Sequence, residues 1–490
     1  MSDPLEIELK LEIAPGDRER LNAAKLLASD DHECAHLVST YFDAPDFHIR
    51  NAGYSLRIRQ KSGQRVQTVK ADGAAAAGLF IRMEWERAIK GDTPILDPES
   101  GLARAIGPKA LASIGPLFVT DVSRTTRTLI RGGASIELAI DHGEIRAGDR
   151  SEALCEVELE LGDGSPQALF DFARCLNEEV PLRLGVRSKA ERGYGLVEGS
   201  TAKAVKAVKA EPIALSPDGT MGEAFKTIAH SCIRQFRLNE SLVLETGKAE
   251  PLHQARVGLR RLRSALSLFN PLLTGDGRTE QLRVELRWLA AALGRVRNLD
   301  ALIPRVDAGV SVQLQAVREC ALAHLHGELA STRTRLLMIN LAEWLALGSW
   351  WTRPADPELA NQNVLAFAGD LLDASRKRVK RRGKGLASLD DEHRHRMRIE
   401  AKKLRYATEF FAALYPEKKA RRRHTAFRRA LEDLQDHLGE LNDLVTGPTV
   451  LASLGIEAKL PKIARHERER LLVRAEAAYE SLIDAKRFWR

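Results

Sequence analysis

Cysteine is scarce in this sequence of 490 residues, which contains only five. Cys34, Cys155, Cys175, Cys232 and Cys320 are scattered, odd in number and never in CxxC spacing. This usage is typical of a reducing compartment and argues against a disulfide framework or a zinc ribbon. No run reaches the ~18 apolar residues of a membrane span, and the first residues lack the basic and apolar regions of a secretory signal. We therefore expect a cytoplasmic protein that does not enter a membrane.

Aromatic residues are also few, at 5% of the chain. They rarely interleave the basic stretches of the C-terminal part, which disfavours the stacking modes that bind single-stranded nucleic acids. The apolar content of 44% and the charged content of 29% are those of a soluble globular protein. The length allows two to four domains, each with its own core.

The formal net charge of +8 is unevenly distributed along the chain. Residues 1–200 hold 25 Lys and Arg against 32 Asp and Glu, whereas residues 201–490 hold 50 against 35. An acidic first part joined to a strongly basic second part indicates two roles, of which the second involves a polyanion.

The first part, to about residue 200, alternates charged and apolar residues with a period of two, which predicts β-strands. Stretches 5–12 and 156–161 place mainly carboxylates on the charged face, whereas 56–61 places cations there. Stretches 65–70, 82–86, 123–130 and 136–141 read as further strands. An ordinary half-buried strand with a solvated outer face would explain any one of them alone.

Rows of like charge on single strands indicate a shared ionic interior. Three like charges in a row repel each other unless metal ions or an oppositely charged ligand relieve them. A closed antiparallel barrel would bring the acidic and basic rows around one lumen. Its carboxylates would hold hard divalent cations, and its lysines and arginines would clamp a polyphosphate.

The second part, from about residue 218, shows amphipathic helical periodicity instead of strand alternation. Residues 199–217 read as a linker between the two parts. The motif His253-x-x-Arg256-x-x-x-Arg260-Arg261-Leu262-Arg263 recurs 142 residues later as His395-x-x-Arg398-x-x-x-Lys402-Lys403-Leu404-Arg405. This repetition indicates an internal duplication.

The repeated motif places cations on one helical stripe, because its spacing of three, four and three follows the helical turn. A basic stripe is more commonly a solvated face. The cations within each stripe repel one another, and this unfavourable arrangement occurs at matched positions in both copies. It therefore indicates that the two stripes converge on one channel that binds an anion. Zinc binding by the two histidines is disfavoured, since no Cys or carboxylate stands at ligand spacing.

The ordered strand motifs resemble the CYTH domain, also called the triphosphate tunnel metalloenzymes, over about residues 3–198. They are Glu6-x-Glu8-x-Lys10, Leu56-Arg57-Ile58-Arg59, the Lys70 strand, Asp141-x-Gly143-Glu144-Ile145 and the alternating glutamates of 156–160. The resemblance implies an eight-stranded antiparallel tunnel that binds a triphosphate with Mg²⁺ or Mn²⁺. It implies metal ligands at Glu6, Glu8, Asp141, Glu158 and Glu160, and catalytic cations at Lys10, Arg57, Arg59, Lys70, Arg124 and Lys189. The registers of Glu84, Glu86 and Glu156 stay open.

The helical repeats resemble the CHAD domain, over about residues 218–488. The resemblance implies two pseudo-symmetric four-helix bundles with a basic channel for long-chain inorganic polyphosphate. The matching positions are His253, Arg256, Arg260, Arg261, Arg263, His395, Arg398, Lys402, Lys403 and Arg405. We thus expect an α+β chain with a CYTH domain over 1–198, a linker over 199–217 and a CHAD domain over 218–490.

The leading hypothesis is a metal-dependent inorganic triphosphatase that cleaves tripolyphosphate to pyrophosphate and phosphate. The CYTH resemblance also allows a class IV-type adenylate cyclase or a thiamine triphosphatase, although the tunnel strands offer no evident adenine pocket. A catalytically idle protein that binds or targets polyphosphate is the alternative from another class. Nucleic-acid binding by the basic part is the least favoured of these hypotheses.

Overall fold

A computed structural model describes residues 5–28, 31–71, 77–97, 100–199, 206–456 and 465–490. The chain forms two compact units, one of residues 1–207 with 328–347 and one of residues 208–327 with 348–490. The expected domain limits, 1–198 and 218–490, stay a prediction. Residues 200–205 of the predicted linker lie outside the described residues.

An antiparallel sheet dominates the first unit. Its strands follow the order β5-β4-β3-β2-β6-β7-β8-β1, and pairing of β1 with β5 closes these eight into a barrel. A short ninth strand, β9, pairs with the end of β1. The predicted eight-stranded antiparallel barrel is confirmed. The strands are β1 Leu5–Ile13, β2 Glu33–Asp43, β3 Tyr54–Lys61, β4 Gln64–Ala71, β5 Leu79–Ile89, β6 Gly115–Arg131, β7 Ala134–Ala147, β8 Arg150–Asp163 and β9 Leu182–Leu184.

The C-terminal part is mostly helical, as predicted. Within the described residues the helices are α1 Arg18–Asn22, α2 His48–Asn51, α3 Gly101–Leu111, α4 Gln167–Glu179, α5 Lys189–Val197, α6 Met221–Thr246, α7 Ala249–Leu268, α8 Asn270–Leu273, α9 Gly277–Leu302, α10 Ala308–Ala330, α11 Thr332–Leu347, α12 Ser349–Thr352, α13 Pro357–Ala360, α14 Val364–Arg382, α15 Asp391–Phe410, α16 Lys418–Ser453 and α17 Arg465–Asp484. None of these helices combines the length and the apolar character that crossing a bilayer requires.

The barrel turns its ionic residues inward, as the strand alternation predicts. Glu8 and Lys10 of β1 are 3% and 2% exposed although both are charged. The intervening Leu9 points to the opposite face and is also buried. On that outer face, α2 and α3 pack on Leu56 and Ile58 of β3, and α5 packs on β6–β8. Apolar helix packing outside the barrel therefore supports a polar lumen inside it.

Helix α11 belongs to the first unit although it lies far along the chain. It packs against α4 and β9. Arg174 of α4 donates to Glu343 at 2.6 Å, and the Glu343 side chain is only 6% exposed. Arg335 Nε donates to Asn177 Oδ1 at 2.7 Å. The chain breaks at Ser331 between α10 and α11.

The second unit brings the two repeated motifs side by side. They lie on α7 and α15, which contact each other. Helix α7 also packs closely on α6 at Gly258. A Cβ added there would lie only 2.9 Å from the Phe236 backbone nitrogen. Arg260 Nε of α7 donates to the Tyr406 hydroxyl of α15 at 2.5 Å. The two helices that carry the repeated motif are therefore in direct contact.

Candidate functional site

The barrel encloses a cavity of about 510 Å³ that is lined by charged side chains from separate strands. Seven carboxylates and seven cations line it, so their formal charges balance. Glu84 and Glu86, whose registers were open, are among them. The predicted residues on its wall are Glu6, Glu8, Lys10, Arg57, Arg59, Lys70, Arg124, Glu158, Glu160 and Lys189.

Two lysines bind the carboxylates of β8. Lys10 stands opposite Glu158 in the β1–β8 register and donates to Glu156 at 2.9 Å and to Glu158. Lys189, the first residue of α5, lies 2.7 Å from Glu158 and also donates to Glu156. Burial alone would raise the pKa of Glu158, but Lys10 and Lys189 lower it well below its usual value. The Glu158 carboxylate is therefore ionised at neutral pH.

Arg124, which lines the cavity, forms a buried ion pair with Asp141, a predicted metal ligand that is not among the described residues of the cavity wall. Arg124 donates to both Asp141 oxygens, at 2.7 and 2.6 Å, and to Glu158 at 2.6 Å. Asp141 is 1% exposed and also lies 2.7 Å from Lys189. Burial would raise the pKa of Asp141, but Lys189 and Arg124 lower it to about 2.

Glu6 and Glu8 of β1 are held by cations from β4 and β5. Lys70 donates to both oxygens of Glu6, at 2.7 and 2.9 Å. Arg82 donates to Glu6 Oε2 at 2.8 Å and to Glu8 Oε2 at 3.1 Å. The second Glu8 oxygen, Oε1, is buried and accepts no hydrogen bond. This oxygen lies 3.2 Å from Lys10 Nζ, so its contact is an ion pair rather than a hydrogen bond.

Arg57 and Arg59 form the part of the cavity in which cations lack close carboxylates. Glu84 is the nearest to Arg57, at 3.7 Å, and Arg59 donates to Ser39 Oγ at 3.4 Å. Burial and the neighbouring Arg57 lower the pKa of Arg59 to about 10. Tyr41 stands opposite Arg57 in register; burial would raise the pKa of its phenol, but Arg57 lowers it. This surface can accept an anion without displacing a carboxylate from either arginine.

Glu160 and Glu137 form the complementary acidic part. They stand opposite each other in the β7–β8 register, and both line the cavity. Burial and the charges of Glu6 and Glu137 raise the pKa of Glu160 to about 7. Glu160 is therefore about half protonated near pH 7, and a cation bound here would favour its ionised form.

The carboxylate geometry fits a divalent cation. Within the part of the chain that the structure describes, Asp141, Glu156 and Glu158 offer oxygens that all lie within 4.8 Å of one another. Glu8 Oε1 adds a buried acceptor that no hydrogen bond satisfies. Carboxylate oxygens are the ligands that Mg²⁺ and Mn²⁺ prefer.

The second unit contains a separate cavity of about 470 Å³ between the repeated motifs. Its lining includes cations from both copies and one carboxylate, that of Asp443, which lies 3.0 Å from Arg305. The predicted residues on its wall are His253, Arg256, Arg260, His395, Arg398 and Lys402.

The two repeated histidines are held in equivalent but chemically different ways. Counted from the repeated Leu-Gly pairs at 293 and 438, Arg297 and Asn442 occupy equivalent positions. Arg297 Nε donates to His253 Nδ1 at 3.2 Å, and Asn442 Oδ1 lies 3.1 Å from His395 Nδ1. Because arginine is only a donor, neutral His253 carries its proton on Nε2.

The cations of this cavity strongly affect one another. Burial, Arg260 and Arg398 lower the pKa of Lys402 to about 6. Burial and Arg260 lower the pKa of Arg256 to about 10. The Nε of Arg398 is buried without a hydrogen-bond partner. The cavity thus holds positive charge that a bound anion would neutralise.

The two parts of the chain match two family models. Residues 4–194 match the CYTH domain, and residues 227–452 match the CHAD domain. The chain carries a CYTH domain followed by a CHAD domain. The predicted resemblance of both parts is confirmed.

Known proteins resemble each domain. Over 198 residues the chain is 33% identical to an inorganic triphosphatase of Haemophilus influenzae, in an alignment that covers 39% of this chain and 54% of the relative. The chain therefore spans about half the length of this curated relative. The crystal structure of a CHAD domain from the plant Ricinus communis aligns with 57% of this chain and 98% of that chain, at 29% identity and a TM-score of 0.48. The structure of the PH1819 protein from Pyrococcus horikoshii aligns with 39% of this chain and 98% of that chain, at 20% identity and a TM-score of 0.25.

Four of the predicted polyphosphate residues lie outside the wall of the CHAD cavity. Arg261 is 2% exposed and donates to Gln235 Oε1 at 2.7 Å. Arg263 is exposed on the same helix. Lys403 lies 3.6 Å from Glu400, and Arg405 lies 3.7 Å from Glu409. We leave these four out of the proposed anion contacts.

Sequence reasoning did not assign several residues that line the two cavities. In the CYTH domain these are Tyr41, Arg82 and Glu137. Arg82 and Glu137 have the alternation expected of lumen residues, but no motif singled them out. In the CHAD domain Arg297 and Asn442 could have been found by aligning the Leu-Gly pairs that follow each motif.

Proposed function

We propose that the CYTH domain is a metal-dependent inorganic triphosphatase that cleaves tripolyphosphate to pyrophosphate and phosphate. The observation that carries the proposal is that the charged side chains of one cavity are unequally paired, although their formal charges balance. Arg57 and Arg59 lack close carboxylates on one side, whereas Glu137, Glu160 and Glu8 Oε1 offer negative charge on the other. A triphosphate with its divalent cation complements both sides.

Glu6, Glu8, Asp141, Glu158 and Glu160 would hold Mg²⁺ or Mn²⁺. Such an ion, when bound, neutralises phosphate charge and lowers the pKa of a bound water. Phosphoryl transfer depends mainly on positioning and charge stabilisation, which the chain's cations can supply.

The cations divide into two groups by their present partners. Arg57 and Arg59 would bind phosphate oxygens directly, because neither has to leave a close carboxylate. The others now neutralise the carboxylates and would turn toward phosphate once a divalent cation replaces them there. These are Lys10, Lys70, Arg124 and Lys189.

A substrate panel tests the triphosphatase proposal. Full-length protein is incubated with tripolyphosphate, thiamine triphosphate, ATP and long polyphosphate, with and without Mg²⁺ or Mn²⁺, and the products are identified. We expect metal-dependent release of phosphate and pyrophosphate from tripolyphosphate, and its loss in Glu8→Gln. Cyclic AMP as the main product from ATP would favour a cyclase instead. Unchanged phosphate release in Glu8→Gln would rule out catalysis in the tunnel.

For the CHAD domain we propose binding of long-chain inorganic polyphosphate in the cavity between α7 and α15. The supporting observation is the convergence of Arg256, Arg260, Arg398 and Lys402 from two helices with one lining carboxylate among the described residues. Fluorescence titration with polyphosphate should show weaker binding by Arg260→Gln, whereas exposed Lys419→Gln serves as the control. Displacement of polyphosphate by single-stranded RNA at similar concentration would instead support nucleic-acid binding.

We also propose a cytoplasmic location. Its support is chemical, since all five cysteines are free thiols in the structure. Protein recovered from a periplasmic or secreted fraction after cell fractionation would contradict it.

A further inference from the structure

Arg82 lies at the seam that closes the barrel, directly opposite Glu6 in the β1–β5 register. Its Nε donates to Glu6 Oε2 at 2.8 Å, and its Nη2 donates to Glu8 Oε2 at 3.1 Å. One guanidinium therefore joins two carboxylates that stand two positions apart on the same strand and the same face.

The hydrogen bonds of Glu8 are divided unequally between its two oxygens. Arg82 occupies Oε2, whereas Oε1 is buried and accepts no hydrogen bond. Lys10 Nζ lies 3.2 Å from Oε1. An ionised carboxylate has about four lone-pair sites, so Arg82 can fix its orientation and still leave sites for a cation.

The guanidinium is itself held in place. Its side chain is 11% exposed, and its central carbon lies 5.3 Å from the centre of the Phe80 ring. Lys70 takes both oxygens of Glu6 from the other side. Arg82 is thus a fixed bridge rather than a mobile surface charge.

We propose that Arg82 is a positioning residue that sets the spacing and orientation of Glu6 and Glu8 for a divalent cation. The proposal rests on the proposed metal binding by these two carboxylates. Without the bridge, two like charges on one strand would repel each other and turn apart. The planar fork of arginine fixes the relative direction of its two hydrogen bonds, which the rotatable donors of a lysine ammonium do not.

The positive charge of Arg82 opposes metal binding, whereas its orienting hydrogen bonds favour it. The substitution Arg82→Lys separates these two effects. A nearby positive charge opposes metal binding, so Arg82→Gln would change both effects together. Arg82→Lys keeps the charge and removes the fork. A purely electrostatic role therefore predicts no change in Arg82→Lys, whereas a positioning role predicts weaker metal binding.

The test measures Mn²⁺ binding to the full chain by electron paramagnetic resonance, without triphosphate. The tunnel sites are those that disappear in Glu8→Gln. We expect Arg82→Lys to weaken tunnel Mn²⁺ binding by about tenfold or more, the scale on which partners that orient metal ligands act. Arg87→Lys, on the exposed outer face of the same strand, is the matched control and should bind like the wild type.

A second variant keeps the test decisive if Arg82→Lys does not fold. Phe80→Leu removes the ring beside the guanidinium and leaves every charge in place, so we expect a smaller loss in the same direction. If Arg82→Lys folds and binds Mn²⁺ like the wild type, the positioning role is overturned, whatever Phe80→Leu does. If Phe80→Leu is the only folded variant, wild-type binding by it overturns the role as well. Absence of tunnel Mn²⁺ binding in the wild type would instead refute the proposed metal-dependent function.

Discussion

Arg124 and Asp141 face each other across β6 and β7 and share two hydrogen bonds, of 2.7 and 2.6 Å. The pair is almost completely buried, with 14% of the arginine side chain and 1% of the aspartate side chain exposed. Removing one partner of a buried ion pair leaves the other charge without its counter-ion. The ion pairs of the tunnel therefore contribute to folding as well as to ligand binding.

Arg124→Ala should destabilise the barrel by about 3 kcal/mol, because Asp141 then keeps Lys189 as its cation partner among the described residues. Differential scanning calorimetry at pH 7 should show a Tm lower by about 10 °C for a unit of this size. Arg146→Ala is the control, since Arg146 meets Asp121 at 2.8 Å where both are substantially exposed. Its effect should stay below about 1 kcal/mol. Equal Tm shifts in both variants would contradict this prediction.

Arg59→Ala should impair catalysis without destabilising the fold, since Arg59 has no close carboxylate to leave unpaired. We expect kcat/KM for tripolyphosphate to fall by about 100-fold, the loss typical of removing a charged donor from a phosphate. Steady-state kinetics and a thermal melt measure the two effects. Lys61→Ala, which removes an exposed cation paired with Glu33 at 2.7 Å, should change neither. A melt lowered in proportion to activity would show that Arg59 is structural.

Polyphosphate affinity of the CHAD domain should fall as pH rises from about 6 to about 9. Burial, Arg260 and Arg398 lower the pKa of Lys402 to about 6, so the free lysine is mostly neutral at pH 8. A bound polyanion restores its charge, and binding then takes up one proton. One such proton weakens affinity by at most about tenfold per pH unit.

Lys402→Arg isolates this effect, because arginine stays charged over the whole range. The other charged and titratable groups on the cavity wall are unchanged in the variant; they are Arg256, Arg260, Arg297, Arg305, Arg398, His253, His395 and Asp443. Calorimetric titrations in buffers of different ionisation enthalpy count the protons directly. A wild-type pH profile that coincides with that of Lys402→Arg would contradict the assignment.

Asp443→Asn should strengthen polyphosphate binding. Asp443 supplies a carboxylate to the cavity wall and lies 3.0 Å from Arg305. Its removal frees that arginine for phosphate, so we expect affinity to rise several-fold, on the scale of a half-exposed ion pair. Asn298 occupies the equivalent position in the first copy, and Asn298→Asp should weaken binding. Weaker binding by Asp443→Asn would mean that the carboxylate holds the cavity together.

Strand alternation predicted much of the tunnel, because consecutive side chains on a strand must point to opposite faces. This placed Glu6, Glu8 and Lys10 in one interior before the structure was considered. The alternation also places Tyr41 on the cavity wall, but the prediction was based on charged residues and therefore did not identify a neutral one. Arg82 shows the alternation of a lumen residue, but its bridge between Glu6 and Glu8 depends on cross-strand register, which a sequence does not specify.

The site residues of the helical half were harder to predict. A motif shows on which side of a helix its cations lie, but not how far the cavity extends along that helix. Arg261 follows Arg260 by one residue, which turns it about 100° around the helix and into the core. Arg263 stays near the stripe but lies about one turn beyond the cavity. The break at Ser331 follows from packing of α11 on α4, a long-range contact without a local signal.

The placement of α11 has a consequence for the order of synthesis. The chain leaves the first unit after residue 207 and returns to it at residue 328. On a ribosome, α4, which ends at Glu179, must therefore wait for about 170 further residues before the helix that covers it is complete at Leu347. At roughly 5–20 residues per second this delay lasts on the order of ten seconds. During that interval the face of α4 that packs on α11 stays uncovered, so the first unit completes its packing only after translation passes residue 347.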